Sequence, residues 1–143
     1  MNEEIYQTKN FEQTKLLGKK LAKRLKPGDI LAFYGNLGSG KTTFIQGLAL
    51  GLNIKRRIIS PTFIIVRHYK LEKGNFYHID LYRTQNVNDL LSVGLGEIIS
   101  NNENIVTIEW AEKLDKLLPK KRYDLKFSYI DEFTRSITIN KHE

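Results

Sequence analysis

The sequence predicts an α/β protein, a three-layer α/β/α domain around a mixed parallel and antiparallel sheet, and three observations predict it. The apolar run Ile30 to Tyr34 leads into the glycine-rich turn Gly35-Asn36-Leu37-Gly38-Ser39-Gly40-Lys41-Thr42, and a helical pattern follows from Lys41. A second uninterrupted apolar run, Ile105 to Ile108, ends in an acid, Glu109; such runs suit strands covered on both faces. Two pairs of strand-like segments, Phe63–Leu71 with Asn75–Leu81 and Tyr123–Ile130 with Arg135–Asn140, are split by short polar turns and read as antiparallel hairpins.

The bulk properties bound the rest. A chain of 143 residues, 41% hydrophobic, can bury one real core but not two, so residues 1–143 are expected to form a single domain. The start, Met1-Asn2-Glu3-Glu4, is acidic and leads into no apolar segment, and no stretch approaches the ~20 apolar residues that span a bilayer. The expectation is a soluble, unexported, cytoplasmic protein with no membrane partner. The absence of cysteine excludes disulfides, thiolate metal sites and thiol nucleophiles. His68, His78 and His142 show no metal-ligand spacing. A net charge of +7 favours an acidic partner, nucleotide, nucleic acid or protein, but 16 of the 23 basic residues are lysines spread along the chain. Lys19, Lys20, Lys23, Arg24 and Lys26 fall on the outer side of the first helix and read as a solvated face rather than an RNA contact.

Taken in order, Glu3 to Lys9 forms a short edge strand through Ile5 and Tyr6. Asn10 with Gln13 three residues on resembles a capping box, and Leu17, Leu21 and Leu25, with Leu16 beside them, make the apolar stripe of a helix that Pro27-Gly28 ends. Asp29 opens the central strand. After the glycine-rich turn, Phe44, Ile45, Leu48 and Leu52 share one helix face, with Gly51 or Asn53 as the stop. Beyond the polar link Lys55-Arg56-Arg57, Pro61 breaks Ile58 to Phe63 and sets Ser60 and Thr62 in an exposed turn. Thr84 to Ser100 is irregular, with helical turns around Val87–Leu91 and Glu97–Ser100 joined by Gly94 and Gly96. A brief helix, Ala111 to Leu118, stops at Pro119.

The turn at Gly35 to Thr42 is a complete Walker A phosphate loop in the strand-before, helix-after context it requires. Glycines let several backbone N–H groups converge on phosphate oxygens, Lys41 adds a point charge at the β/γ-phosphates, and Thr42 offers a hydroxyl to Mg²⁺. The start of the next helix favours the anion through its unpaired N–H groups and dipole. The fold is therefore P-loop NTPase-like, ATP and Mg²⁺ are the expected cofactors, and Asn36, Leu37, Gly38, Ser39, Gly40, Lys41, Thr42 and Thr43 the expected nucleotide contacts. Such a site also needs an acid at a second strand end. Asp80, after Phe76 to Ile79, and Glu109 both qualify. Glu109 follows the more uniformly apolar strand, the better parallel neighbour for the phosphate-loop strand, and takes the Mg²⁺ role beside Thr42; Asp80 is left to orient water or support the metal site. Trp110 reads equally as a rim residue of the site or as packing at the core edge. Ser60 and Thr62 read as a nucleotide-sensing switch or as polar caps of a turn. Arg83 can reach phosphate or pair with an acid such as Asp89.

Several segments, in this order, carry a family resemblance: Thr14 with Leu17-Gly18, Pro27-Gly28-Asp29, the loop Gly35 to Phe44, Ser60-Pro61-Thr62-Phe63, His78-Ile79-Asp80-Leu81-Tyr82-Arg83 and Ile108-Glu109-Trp110-Ala111-Glu112. Together they are similar to TsaE, also called YjeE, a family of small bacterial P-loop ATPases of tRNA threonylcarbamoyladenosine synthesis. The loop alone is shared by many families; the Ser-Pro-Thr-Phe, Asp-Leu-Tyr-Arg and Glu-Trp elements are specific. The resemblance implies an ATPase that binds a TsaB–TsaD pair and resets it between rounds of threonylcarbamoyl transfer to the adenosine beside the anticodon. TsaD performs the transfer in that picture, and contact with tRNA is indirect, through the complex. It also implies that Lys41 and Thr42 bind phosphate and Mg²⁺, that Asp80 and Glu109 complete the hydrolytic site with Lys41, that Ser60 to Phe63 is switch-like, and that Trp110 belongs to a motif needed for function. One departure is visible: the family usually carries Asp where this chain has Asn36, which removes a negative charge beside the phosphates. Two other readings use the same residues, a small-molecule kinase and a nucleotide-gated RNA-binding module.

Overall fold

The computed structural model describes residues 2–55, 66–84, 86, 88 and 94–143. In chain order its elements are β1 (Asn2–Thr8), α1 (Phe11–Ala22), β2 (Ile30–Tyr34), α2 (Lys41–Gly51), β3 (Val66–Lys70), β4 (Asn75–Asp80), α3 (Leu95–Ser100), β5 (Asn104–Glu109), two 3₁₀ turns (Ala111–Lys113 and Asp115–Leu117), β6 (Arg122–Tyr129) and β7 (Arg135–His142). The strands form one sheet in the order β1-β7-β6-β2-β5-β4-β3. Its middle, β6, β2, β5 and β4, is parallel, while β7, β1 and β3 run antiparallel to their neighbours.

The placement follows from side-chain pattern. Every residue of β5 is buried, as are four of the five in β2, because both strands are covered on both faces. β1 lies at the edge, with Ile5 exposed and Tyr6 packed against the core. Over one face of the sheet, Leu31 and Phe33 of β2 meet Phe44, Ile45 and Leu48 of α2 and Leu21 and Ala22 of α1. The rings of Phe33, Phe44 and Phe127 lie 5.6 to 5.9 Å apart in edge-on and stacked contacts. Over the other face, Ile30, Ala32, Ile79, Val106 and Ile108 are covered by Leu95 of α3 and by Ala111, Leu114 and Leu118 around the 3₁₀ turns. These are the three layers the sequence predicts, one of them thin.

The two helices that face the phosphate loop touch backbone to backbone. A Cβ on Gly47 would stand 1.8 Å from the carbonyl oxygen of Lys15, so α1 and α2 approach this closely only because the position is glycine. At the start of α1, the Asn10 side chain accepts from the Gln13 N–H at 2.8 Å. The Gln13 side chain reaches back to the Lys9 N–H rather than to that of Asn10, a shifted form of the expected capping box. Lys19, Lys20, Lys23, Arg24 and Lys26 are all exposed; Arg24 pairs with Glu4 and Lys26 with Asp29.

Three local expectations need correction. The helix of α1 closes at Ala22, and turns rather than helix carry the chain to Pro27-Gly28. Leu16 is 51% exposed and not part of the buried stripe. Ala111 to Leu118 is two 3₁₀ turns instead of one helix: Trp110 before the segment and Asp115 within it adopt left-handed backbone (φ 60° and 46°), and Asp115 interrupts helical bonding. The switch-like Ser60 and Thr62, the link residues Arg56 and Arg57, and most of the Val87–Leu91 turn lie outside the described residues.

Candidate active site at the phosphate loop

The loop leaves the end of β2 and turns into α2. Gly40, immediately before α2, has φ 105°, a left-handed conformation that glycine adopts without strain. The first helical bond runs from the Phe44 N–H to the Gly40 carbonyl, so the N–H groups of Lys41, Thr42 and Thr43 have no acceptor within the helix. Ser39 is buried, and its hydroxyl has no partner among the described residues. N–H groups without an acceptor in the helix, a buried hydroxyl without a partner and the positive end of a helix can together receive an anion. Lys41 is folded back over it: its Nζ donates to the Gly35 carbonyl at 2.5 Å and stands 3.7 Å above the Trp110 ring. Burial pushes the Lys41 ammonium below the usual lysine range, opposed by Glu109, Glu112 and Asp80. From the far side, the Tyr129 hydroxyl donates to the Leu37 carbonyl at 2.7 Å, and Arg135 reaches the Gly38 carbonyl at 3.5 Å.

The acids arrive on neighbouring strands. β5 pairs with β2 in parallel, Glu109 opposite Phe33, and β4 pairs with β5, Asp80 opposite Glu109. Both carboxylates therefore stand at the C-terminal end of the parallel strands, where ligands of open α/β sheets bind. Glu109 is 3% exposed, and its two oxygens lie 3.2 and 3.3 Å from the Thr42 hydroxyl, which donates to them. Asp80 is half-buried and accepts from the Tyr82 N–H at 3.0 Å. Trp110, directly after Glu109, packs against Tyr82 with ring centroids 5.1 Å apart. Lys113 ties this corner down by donating to the Tyr82 and Thr84 carbonyls. No group of three or more His, Cys, Asp or Glu side chains surrounds a common point among the described residues. The Thr42 hydroxyl and the Glu109 carboxylate are hard oxygen donors at an anion site. That set fits Mg²⁺, which keeps several waters and is bound by one or two protein oxygens together with substrate phosphates.

Comparison with known proteins decides the family. The family of the threonylcarbamoyl adenosine biosynthesis protein TsaE matches residues 8–137. The chain belongs to the TsaE family. The tRNA threonylcarbamoyladenosine biosynthesis protein TsaE of Bacillus subtilis is 37% identical over 134 residues, covering 94% of this chain and 83% of the relative. That of Rickettsia felis is 38% identical over 139 residues, covering 94% and 79%. The crystal structure of Bacillus subtilis YdiB superposes with a TM-score of 0.81 at 29% identity, over 99% of this chain and 87% of that one. The P-loop NTPase-like α/β fold and a place in tRNA threonylcarbamoyladenosine biosynthesis are thereby established for this TsaE chain.

Of the residues singled out in the sequence, the fold gathers Lys41, Thr42, Asp80, Glu109 and Trp110 into one corner with the loop Asn36 to Thr43. Arg83 is exposed on the turn after β4, and Asp89, the acid considered for it, lies outside the described residues. Among helices of this TsaE chain, none of the described residues forms one long and apolar enough to cross a membrane. The sequence reading passed over His78, which the fold places against Glu109 at 2.6 Å with no exposed surface. A signal for it existed: in a strand, residues two apart share a face, so His78 points the way Asp80 does. Tyr129 and Arg135, which hold the loop from β6 and β7, gave no such signal.

Proposed function

We propose that this protein binds ATP with Mg²⁺ at the phosphate loop, hydrolyses it to ADP and phosphate, and uses its nucleotide state to reset a TsaB–TsaD pair. That action supports threonylcarbamoyl transfer to the adenosine beside the anticodon, with tRNA met only through the complex, in the cytoplasm. The observation that carries the reading is the contact between the Thr42 hydroxyl and Glu109, 67 residues apart in sequence, beside a helix start whose first N–H groups have no acceptor within the helix.

In this reading the N–H groups of Lys41, Thr42 and Thr43 and the Ser39 hydroxyl receive phosphate oxygens, with Asn36, Leu37, Gly38 and Gly40 wrapping them. Lys41 exchanges the Gly35 carbonyl and the Trp110 face for the β/γ-phosphates. The anion then restores to its ammonium the favourable surroundings that burial removes. Thr42 and Glu109 hold Mg²⁺, which when bound neutralises charge developing on the phosphates. Asp80 orients the attacking water. Ser60 and Thr62 sense the nucleotide, and Arg83 and Trp110 line the rim.

The test has two arms. With Mg²⁺ and no acceptor, the isolated protein should release ADP and free phosphate in equal amounts, and chelation with EDTA should stop it; ADP formed only with a small-molecule acceptor and recovered as its phosphate ester would identify a kinase instead. In the second arm, the protein should retain the TsaB–TsaD pair on a column in ATP and lose it in ADP. Folded protein that never retains the pair contradicts the accessory role.

A further inference from the structure

His78 is a polar side chain inside the core, and the roles assigned above give it nothing to do. It sits on β4 with no exposed surface, between Phe76 and Asp80 on its face of the sheet, in a strand where an aliphatic side chain would pack without polar atoms to satisfy. Its Nε2 stands 2.6 Å from one Glu109 oxygen, and its Nδ1 has no partner among the described residues. The register explains the reach: His78 pairs with Thr107 and Asp80 with Glu109, so His78 is the diagonal neighbour of Glu109 across the β4–β5 ladder. The nearby Thr107 hydroxyl does not compete, because it donates to the Tyr77 carbonyl.

The contacts fix the chemistry of the pair. An ionised carboxylate only accepts, so the hydrogen must be on Nε2. Nε2 is therefore the donor to Glu109, and Nδ1 is the ring nitrogen left without a partner among the described residues. The consequence falls on Glu109, whose terminal torsion is broad and roughly two-fold, so one hydroxyl shared between both oxygens does not by itself set the plane of the carboxylate. The imidazole, itself immobilised by burial, takes Oε2 and thereby fixes the plane in which both oxygens face Thr42.

We propose that His78 is a positioning residue, holding the Glu109 carboxylate in the orientation that, together with Thr42, receives a divalent cation. The inference rests on the ATP and Mg²⁺ reading above and adds a residue to it. Hydrogen-bond partners that orient a metal-binding side chain typically change metal affinity by about 10–100-fold when removed. His78→Leu should therefore weaken Mg²⁺ binding to the protein–ATP complex by roughly that factor, while ATP affinity in EDTA stays within about twofold. His78→Gln, whose side-chain amide also presents an N–H, should recover most of the loss.

The experiment measures ATP affinity by calorimetry with and without Mg²⁺ for wild type and both variants, and records the imidazole ¹⁵N spectrum of the nucleotide-free wild type. The expected spectrum has a proton on Nε2. An Nε2 without a proton overturns the proposal without reference to any nucleotide, even if His78→Leu fails to fold. So does wild-type Mg²⁺ dependence in folded His78→Leu, or an equal loss with and without Mg²⁺ in both variants, which marks a purely structural role. Wild-type protein that binds ATP with no response to Mg²⁺ would overturn the metal reading itself together with this inference, a result distinguishable from failure of the variants alone.

Discussion

The phosphate loop and the strand-end acids meet where Thr42 touches Glu109, yet they are held there differently. The loop side is a single stretch whose shape is backbone: a left-handed Gly40, a turn closed from the Ser39 N–H to the Asn36 carbonyl, and a helix pressed onto its neighbour through Gly47. The acid side is assembled from two strands and depends on side chains, Glu109 on His78 at 2.6 Å and on Thr42 at 3.2 Å. A site built this way separates two tasks. In the proposed function the anion is held by the loop, itself braced by Tyr129 and Arg135, whereas response to the metal needs the sheet to bring β4 and β5 alongside β2.

That comparison can be broken or sharpened by substitution. Lys41→Ala is expected to have the largest effect, lowering ATP affinity at least about 30-fold with or without Mg²⁺, since truncating one partner of a buried charged contact costs ~2 kcal/mol or more. Equal affinity in calorimetry would remove Lys41 from the anion site. Glu109→Ala should cut Mg²⁺-dependent hydrolysis roughly 100-fold, the scale for losing one preorganised charge-stabilising group, while affinity in EDTA persists. If hydrolysis survives, the two sides are not joined through Glu109.

Smaller effects probe the corner itself. Trp110 holds φ 60°, a conformation that costs a residue bearing a Cβ ~1–2 kcal/mol. Trp110→Gly should therefore melt higher than Trp110→Ala although both lose the ring; the reverse order would show that the backbone there relaxes. The weakest effect is alkaline. Burial, helped by Asp124, pushes the Tyr34 hydroxyl from 10.0 up to about 12. The folded chain keeps this proton where the unfolded chain has released it, so its contribution to stability is full below pH 10.0 and lost as pH rises toward about 12. Tyr34→Phe should flatten the fall in melting temperature across that window; an unchanged slope would assign the fall to other groups.

What could be read in advance divides along the same line. Gly35 to Thr42 was legible because its chemistry lies in local spacing. The unbroken run Ile105 to Ile108 gave β5 as the neighbour of β2, since only a strand covered on both faces tolerates it, and Glu109 followed. His78 shares a strand face with Asp80, a weak signal whose meaning appears only when the register sets it diagonal to Glu109. Trp110 and Asp115 gave no warning of left-handed backbone, so the residues after β5 read as one helix. Tyr129 reaches the loop across 92 residues, a contact created only when β6 pairs beside β2 in the assembled sheet.

The central claim is that loop and sheet share one metal through Thr42 and Glu109. A crystal structure with a non-hydrolysable ATP analogue and Mg²⁺ tests it most directly. The account predicts the metal bound to the Thr42 hydroxyl and the γ-phosphate, with Glu109 reaching it directly or through a water and His78 still behind that carboxylate. A metal seated on Asp80, with Glu109 turned away, would contradict it.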